Sequence, residues 1–325
     1  MDLFTDSCWL ILGLALLYLG GEWLVKGARD ISLLMGISPL VVGLTVVAFG
    51  TSAPELLVSL KANLTNPPKG DIAIGNVVGS NICNIALILG VGAAIRPLTV
   101  HQQLVRREMP FLLLISLVFI LLLLDESINR SEGLCLFAVV VIYTALSLRK
   151  ARAASNPKSD LEIPQDGEAK SSQPHRSGAL ANIGLLVVGI IALVFGADRL
   201  VLGGSNIARH FEVPEATIAL TIVAFGTSLP ELATSIVAAL RREGDIIIGN
   251  AVGSCIFNIL CVVGLTASVS PLSRTPELRN WDLGVMLAFT LLLFPFVWRD
   301  RLLTRSQGVI FLAGYTLYVC YLGLR

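Results

Sequence analysis

Long apolar stretches follow one another along the chain, each close to the length that a bilayer crossing requires. About 20 consecutive apolar residues span the hydrocarbon core as a helix. Ten stretches of this kind predict ten membrane-spanning helices, near 7–28, 38–61, 71–95, 109–124, 133–148, 179–202, 214–240, 246–269, 282–298 and 306–323. We therefore expect an all-α integral membrane protein.

One long polar stretch interrupts this pattern. Residues 150–177 are rich in Ser, Pro, Lys, Asp and Glu and show no apolar periodicity, which is typical of a solvated linker. We predict that this cytoplasmic linker separates a first repeat at 1–149, with spans one to five, from a second repeat at 178–325, with spans six to ten.

Composition and charge agree with a membrane protein. Of 325 residues, 54% are hydrophobic and only 14% are charged. The net charge of +1 comes without a basic stripe, which argues against nucleic acid as a partner. With both termini outside, sixteen Lys and Arg residues fall on the inner side and eight on the outer side. This distribution and the short loops predict a bacterial inner-membrane protein with external termini.

The polar residues within the spans occur in two blocks, and each block appears twice. Residues 45–56 (TVVAFGTSAPEL) and 221–232 (TIVAFGTSLPEL) agree at ten of twelve positions. Residues 75–85 (GNVVGSNICNI) and 249–259 (GNAVGSCIFNI) agree at eight of eleven. The halves are therefore homologous copies. Because each copy has five spans, an odd number, we expect the second to cross the membrane in the opposite sense, as inverted repeats of transporters do.

The first block of each copy places a proline inside a span. Proline lacks an N–H and its ring clashes with the carbonyl four residues earlier. We therefore expect broken helices at spans two and seven, loosened near Gly50 and Gly226. The backbone carbonyls expected to become free are those of Ala48 and Ala224. The pattern Ser-X-Pro-Glu in both blocks also fits a capping box that restarts each helix.

A carboxylate follows each proline, Glu55 in the first copy and Glu231 in the second. An ionisable side chain within the membrane is by default a functional-site hypothesis. The oxygen donors that accompany this pair are Thr51, Ser52, Ser80 and Asn84, and Thr227, Ser228, Ser254 and Asn258. Such a set favours Ca²⁺ or Na⁺ over Zn²⁺ or Cu²⁺. Two carboxylates balance one Ca²⁺ or two Na⁺, and we expect protons to compete. A polar packing seam is an alternative role for Asn76 and Asn250.

These blocks resemble the alpha repeats of the cation/calcium exchanger superfamily, especially those of the sodium/calcium exchangers and their bacterial relatives. The resemblance covers both repeats, about half of the chain. It implies that Glu55 and Glu231 are the central cation ligands, and that the eight hydroxyl and amide side chains above and the backbone oxygens of Ala48 and Ala224 assist them. Some members carry Asp in the second block, where this chain has Asn84 and Asn258.

The resemblance implies a secondary antiporter that exchanges Na⁺ for Ca²⁺ by alternating access, with the first and sixth spans sliding. Exchange of Ca²⁺ for H⁺, K⁺-dependent exchange and other divalent/monovalent exchange are alternatives. An ion channel is a further one, although inverted repeats with broken helices favour alternating access. An intramembrane protease is disfavoured, since the spans contain neither a Ser/His pair nor an aspartate dyad.

We expect no enzymatic activity, no cofactor and no obligate protein partner; the partners are the transported ions and the lipid bilayer. Two further acidic residues, in the first and sixth spans, have basic neighbours along the chain. We expect Glu22 to pair with Lys26 and Asp198 with Arg199, or both to reach the interface, rather than to bind substrate.

Overall fold

The computed structural model describes residues 3–154, 178–213, 224–274, 280–298 and 300–323, and these are mostly helical. In chain order the helices are α1 (Leu3–Met35), α2 (Pro39–Asn63), α3 (Gly70–Ile95), α4 (Met109–Leu122), α5 (Arg130–Ala154), α6 (Ala179–His210), α7 (Leu229–Leu240), α8 (Gly244–Val269), α9 (Asn280–Trp298) and α10 (Arg305–Gly323). Short helical turns, Leu104–Glu108 and Ala224–Gly226, precede α4 and α7. Within the described ranges, seven helices are long and apolar enough to cross a bilayer: α1, α2, α3, α5, α6, α8 and α9. The chain is therefore a helical integral membrane protein.

The helices match the predicted spans in position, but several are longer. Helix α1 has 33 residues, and α5 continues to Ala154, into the region predicted as linker. Helical structure leading into α4 begins at Gln102 rather than at residue 109. Polar helix ends extend past the apolar stretch because long basic side chains such as Arg149 and Lys150 reach the aqueous interface while their stems stay on apolar surface. Residues 155–177 of the predicted linker and 214–223 of the predicted seventh span lie outside the described residues.

Helices α1 and α6 pack antiparallel along glycines seven residues apart. Gly13 faces the backbone of Leu200, and Gly20 faces that of Gly189; a Cβ at these two positions would lie 2.6 and 2.9 Å from the facing backbone atom. Small residues of this kind let helix backbones approach closely. By the repeat spacing of 176, the row Gly13, Gly20, Gly27 corresponds to Gly189, Gly196, Gly203. Each row thus packs against its own counterpart.

Two short antiparallel strand pairs tie the halves together. Strand β1 (Leu98–Thr99) pairs with β4 (Leu302–Leu303), and β2 (Ser127–Ile128) pairs with β3 (Leu272–Ser273). Because β1 follows α3 and β4 follows α9, those two helices end side by side. For the same reason α4 and α8 end side by side.

The core of the bundle surrounds α8. Residues 246–264 are all buried. A Cβ on Gly249 or Gly253 would lie 2.7 Å from the carbonyl oxygen of Leu40 or Leu44, respectively, so only glycine admits the first half of α2 at this distance. The repeated blocks therefore meet in the interior of the protein.

Of the two ion pairs predicted for Glu22 and Asp198, the structure contains one. Asp198 pairs with Arg199 at 2.9 Å, as predicted. Glu22 instead pairs with Arg241, so the expected partner Lys26 was wrong. The reason is tertiary: α1 packs against α7, and Arg241 directly follows α7.

Candidate cation-binding site

Helix α2 is interrupted at Ser52, and in the second copy Ser228 lies between the helical turn Ala224–Gly226 and the start of α7. Ser52 has φ −80° and ψ 3°, and Ser228 has φ −89° and ψ 4°. Each is followed at the second position by the proline, whose ring prevents a regular helix from continuing through this point. The interruption lies two residues beyond the predicted Gly50, which stays inside a helical turn. Gly50 packs against the side chain of Ile190 on α6, which a Cβ at this position would displace.

Two predictions about this break were wrong. The carbonyl of Ala48 is not freed, because it accepts the backbone N–H of Ser52 at 3.0 Å and the hydroxyl of Thr51 at 3.4 Å. Neither Ser52 nor Ser228 caps the following helix with its side chain. A capping serine needs extended backbone angles, whereas both serines have ψ near zero. The hydroxyl of Ser52 therefore remains without a partner in the described structure.

The break places a carboxylate in the first turn of each restarted helix, at the centre of the protein. Glu55 is 0% exposed and Glu231 is 1% exposed. Ser80 donates to Oε1 of Glu55 at 3.4 Å. Oε2 of Glu55 and both carboxylate oxygens of Glu231 have no hydrogen-bond partner among the described residues. Burying a carboxylate without a partner is costly, so this pair requires a bound cation or a proton.

Hydroxyls from one copy contact amides and hydroxyls of the other. Thr51 on α2 donates to Oδ1 of Asn250 on α8 at 3.1 Å, and its counterpart Thr227 donates to Oδ1 of Asn76 on α3 at 3.4 Å. A second pair of contacts joins Thr51 to Ser254 and Ser228 to Ser80, both at 3.4 Å. The broken helix of each half is thus held against the second block of the opposite half.

The predicted amide ligands lie at wide turns of α3 and α8. The π-helical segments Cys83–Ile88 and Asn258–Val263 include Asn84 and Asn258, which are buried. Turns of this type often occur at functional sites. Oδ1 of each asparagine lacks a hydrogen-bond partner among the described residues, so both oxygens remain available to a ligand. The Nδ2 of Asn258, in contrast, donates to Oδ1 of Asn81 at 3.0 Å.

The predicted ligands fall into groups that differ in their hydrogen-bond contacts. Direct contacts link Glu55, Thr51, Ser80, Thr227, Ser228 and Ser254 to one another or to the block asparagines. Glu231, Ser52, Asn84 and Asn258 each present at least one unpartnered buried oxygen. Ala224 begins a short helical turn before α7, and its side chain lies outside the described residues.

The structure adds polar residues that the sequence analysis missed. Ser59 accepts from Nδ2 of Asn76 at 3.1 Å, and its counterpart Ser235 is fully buried. Each lies four residues after the glutamate of its copy, on the same helix face, and this repeated spacing was a usable signal. Asn81 gave no such signal, because its counterpart in the second copy is Cys255.

The fold and site together define a class: a helical membrane protein whose two related halves enclose a buried, oxygen-lined site. Comparison with known proteins identifies the family. The sequence profile of the sodium/calcium exchanger protein family matches residues 6–149 and 181–324. The chain belongs to this family, whose members are ion exchangers rather than enzymes.

Individual relatives cover nearly the whole chain. The inner membrane protein YrbG of Escherichia coli (strain K12) is 36% identical, over 96% of this chain and 95% of its own length. The sodium/calcium exchanger MaX1 of Methanosarcina acetivorans is 32% identical, over 96% of this chain and 97% of its own. A solved structure of the sodium-calcium exchanger NCX_Mj is similar with a TM-score of 0.83 and 31% identity, over 98% of this chain and 99% of that one.

Proposed function

We propose that this protein is an antiporter that exchanges Na⁺ for Ca²⁺ across the membrane. The observation that carries the proposal is the pair Glu55 and Glu231, buried at the meeting of the two halves with three of four carboxylate oxygens unpartnered in the described structure. Two negative charges without a nearby base require positive charge from elsewhere. One Ca²⁺ or two Na⁺ supplies it.

The donors around this pair suit hard cations. Ca²⁺ takes six to eight oxygen ligands, and carboxylate, hydroxyl and amide oxygens are all suitable. Alongside the two glutamates, the proposed ligands are Thr51, Ser52, Ser80, Asn84, Thr227, Ser228, Ser254 and Asn258, with the backbone oxygen of Ala224. Because Na⁺ accepts the same donors, the two ions compete for overlapping sites, and this competition couples their movements. The names of MaX1 and NCX_Mj are consistent with these substrates.

An inverted arrangement of ten spans, with alternating access to one central site, completes the proposal. The strand pairs support it. Strand β1 follows α3, and β2 follows α4, so the two strands lie at opposite ends of the bundle if α4 crosses it once. Because β2 pairs with β3, which follows α8, the counterpart helices α3 and α8 then end at opposite ends. The antiparallel contact of α1 with its counterpart α6 supports it as well. The glycine row between these helices permits sliding without large side-chain rearrangement. By the positive-inside rule both termini lie outside, in a bacterial inner membrane.

Reconstituted vesicles test the exchange. The protein is placed in Na⁺-loaded vesicles, and ⁴⁵Ca²⁺ uptake is recorded after dilution into Na⁺-free buffer. We expect uptake that requires the sodium gradient and is lost in Glu55→Gln. The matched control is Asp282→Asn: Asp282 is a buried carboxyl on α9 that accepts a hydrogen bond from Tyr318. If sodium-driven uptake survived in Glu55→Gln, the assignment of Glu55 as a cation ligand would be contradicted.

A second candidate function is exchange of Ca²⁺ for H⁺. It is favoured by one observation: none of the ion pairs among described residues uses Glu55 or Glu231, so protons alone can neutralise both carboxylates. In the same vesicles a pH gradient without sodium distinguishes this function. Uptake driven only by the pH gradient would identify protons, rather than Na⁺, as the ions exchanged for Ca²⁺.

A further inference from the structure

A cavity of about 660 Å³ lies outside the cation site, between α4, α5 and the connection from α1 to α2. At its polar side is Glu108, which is only 5% exposed. Tyr143 donates to Oε2 of this carboxylate at 2.8 Å, and Gln103 donates to Oε1 at 3.3 Å. Phe111 stacks on the Tyr143 ring at 5.0 Å. Both carboxylate oxygens of Glu108 therefore already have donors within the protein.

Two basic residues line the same cavity without acidic partners. Arg107 lies two residues before the start of α4, and Lys150 lies near the end of α5; both are exposed. No ion pair among the described residues involves either side chain. Glu108 already accepts from two neutral donors, so its oxygens are engaged within the protein, and the two basic side chains outnumber this one carboxylate in the cavity lining.

The other walls are apolar and continue into the exposed apolar surface. Ile37, Val41 and Leu146 line the cavity. Leu146 is 46% exposed, and Ile142, one turn earlier on α5, is 58% exposed. In a membrane-spanning helix this exposed apolar surface faces lipid chains. The cavity thus combines paired positive charges with walls suited to hydrocarbon.

We propose that this cavity binds an anionic phospholipid of the surrounding bilayer. The phosphate lies between Arg107 and Lys150, the headgroup hydroxyls reach Ser38 and Ser147, and an acyl chain follows Leu146. Basic pockets between membrane helices bind acidic headgroups in this way. A free phosphate would leave the apolar walls unused, and the volume falls in the range of sites for whole small molecules. This proposal is independent of the exchange reaction.

Lipid retention by the purified full-length protein tests the proposal. The detergent-solubilised protein is titrated with phosphatidylglycerol, phosphatidylethanolamine or phosphatidylcholine and examined by native mass spectrometry. We expect one tightly retained phosphatidylglycerol. The double variant Arg107→Gln/Lys150→Gln should bind it on the order of 25-fold more weakly, as two lost headgroup contacts imply. The matched control is Arg106→Gln/Arg149→Gln, which removes the neighbouring basic residues, both exposed and both outside the cavity lining.

Several outcomes would overturn the proposal. Equal weakening in both double variants would mean general surface attraction, and equal binding of the three lipids would remove the role of charge. Displacement of the lipid by millimolar inorganic phosphate would assign the site to a free anion. Because a variant that misfolds binds nothing, a second variant, Ser147→Trp, fills the cavity while leaving both charges in place. This variant should lose phosphatidylglycerol retention while keeping the unfolding temperature of the wild type.

Discussion

The hydroxyl of Thr51 donates a hydrogen bond to Oδ1 of Asn250 at 3.1 Å, across the boundary between the two halves of the protein. The counterpart bond, from Thr227 to Asn76, is 3.4 Å long. Each threonine has a single hydroxyl proton. For Thr51 the amide oxygen of Asn250 is the nearer acceptor, since the carbonyl oxygen of Ala48 lies at 3.4 Å. The oxygen lone pairs of both threonines are therefore directed away from the asparagine, where a cation can accept them. The reciprocal bonds fix the distance between the broken helices and the opposite blocks.

Removal of the Thr51 hydroxyl should weaken cation binding more than it destabilises the fold. Thr51→Val keeps the shape but loses one ligand and leaves Oδ1 of Asn250 without its donor. The lost ligand oxygen acts only when the ion is bound, so we expect the concentration for half-maximal Ca²⁺ uptake to rise about tenfold or more. The control is Thr290→Val, a buried threonine whose hydroxyl bonds the carbonyl of Met286 within α9. Equal effects of the two variants on uptake would contradict a ligand role.

Asn81 is predicted to act as a positioning residue for Asn258. Its Oδ1 accepts from Nδ2 of Asn258 at 3.0 Å, which leaves the Asn258 oxygen turned away from Asn81. In Asn81→Leu we expect a higher half-maximal Ca²⁺ concentration with a maximal rate close to that of the wild type. Because both residues share one bond, the double variant Asn81→Leu/Asn258→Ala should cost less than the sum of the single variants. Strict additivity in that cycle would show that Asn81 acts elsewhere.

The contrast between these two residues explains how much of the site the sequence could predict. Thr51 and Glu55 were predictable because their blocks occur twice, and a polar residue repeated within an apolar span needs a function. Asn81 was not predictable in this way, because the corresponding residue of the second copy is Cys255. The helix positions were predictable from the apolar stretches, as hydrocarbon thickness sets helix length. Thr51 bonds Asn250 of the second copy rather than Asn76 of its own half, and this choice of partner depends on tertiary packing, which the sequence does not show.

Local details within the spans were less predictable. Proline indicates an interrupted helix but not the residue at which it breaks, and the prediction of Gly50 was two residues early. The pairing of Glu22 with Arg241 joins residues that are distant in sequence, so a neighbouring lysine was the only partner that the sequence could suggest. The row of α1 glycines was visible as a spacing of seven residues, but which helix faced it was not.

Gly20 should tolerate no side chain at the contact between α1 and α6. A Cβ there would lie 2.9 Å from the carbonyl oxygen of Gly189 and from the backbone nitrogen of Leu193. Backbone cannot move aside as a side chain can, and overpacking costs typically about 1–3 kcal/mol. We expect Gly20→Val to lower the unfolding temperature in detergent and to slow exchange. Gly184→Val on α6 is the control, because a Cβ there meets nothing within 4 Å. Similar losses in both variants would indicate a general intolerance of valine.

The pair His101 and Asp245 should make stability depend on pH at one end of the bundle. His101 Nε2 lies 3.1 Å from Oδ2 of Asp245, and this hydrogen bond, against a smaller opposing effect of burial, raises the pKa of His101 above its usual 6.5. The folded state therefore favours the protonated ring. The stabilisation is fully present below about pH 6.5 and is lost as pH rises through the raised pKa. The unfolding temperature of wild type minus that of His101→Gln should thus be positive near pH 5.5 and fall towards zero near pH 8.5. The His101 side chain is 56% exposed, so the difference should be small and should shrink in about 1 M salt. A difference that stays constant across this pH range would mean that the histidine stabilises the fold through packing rather than charge.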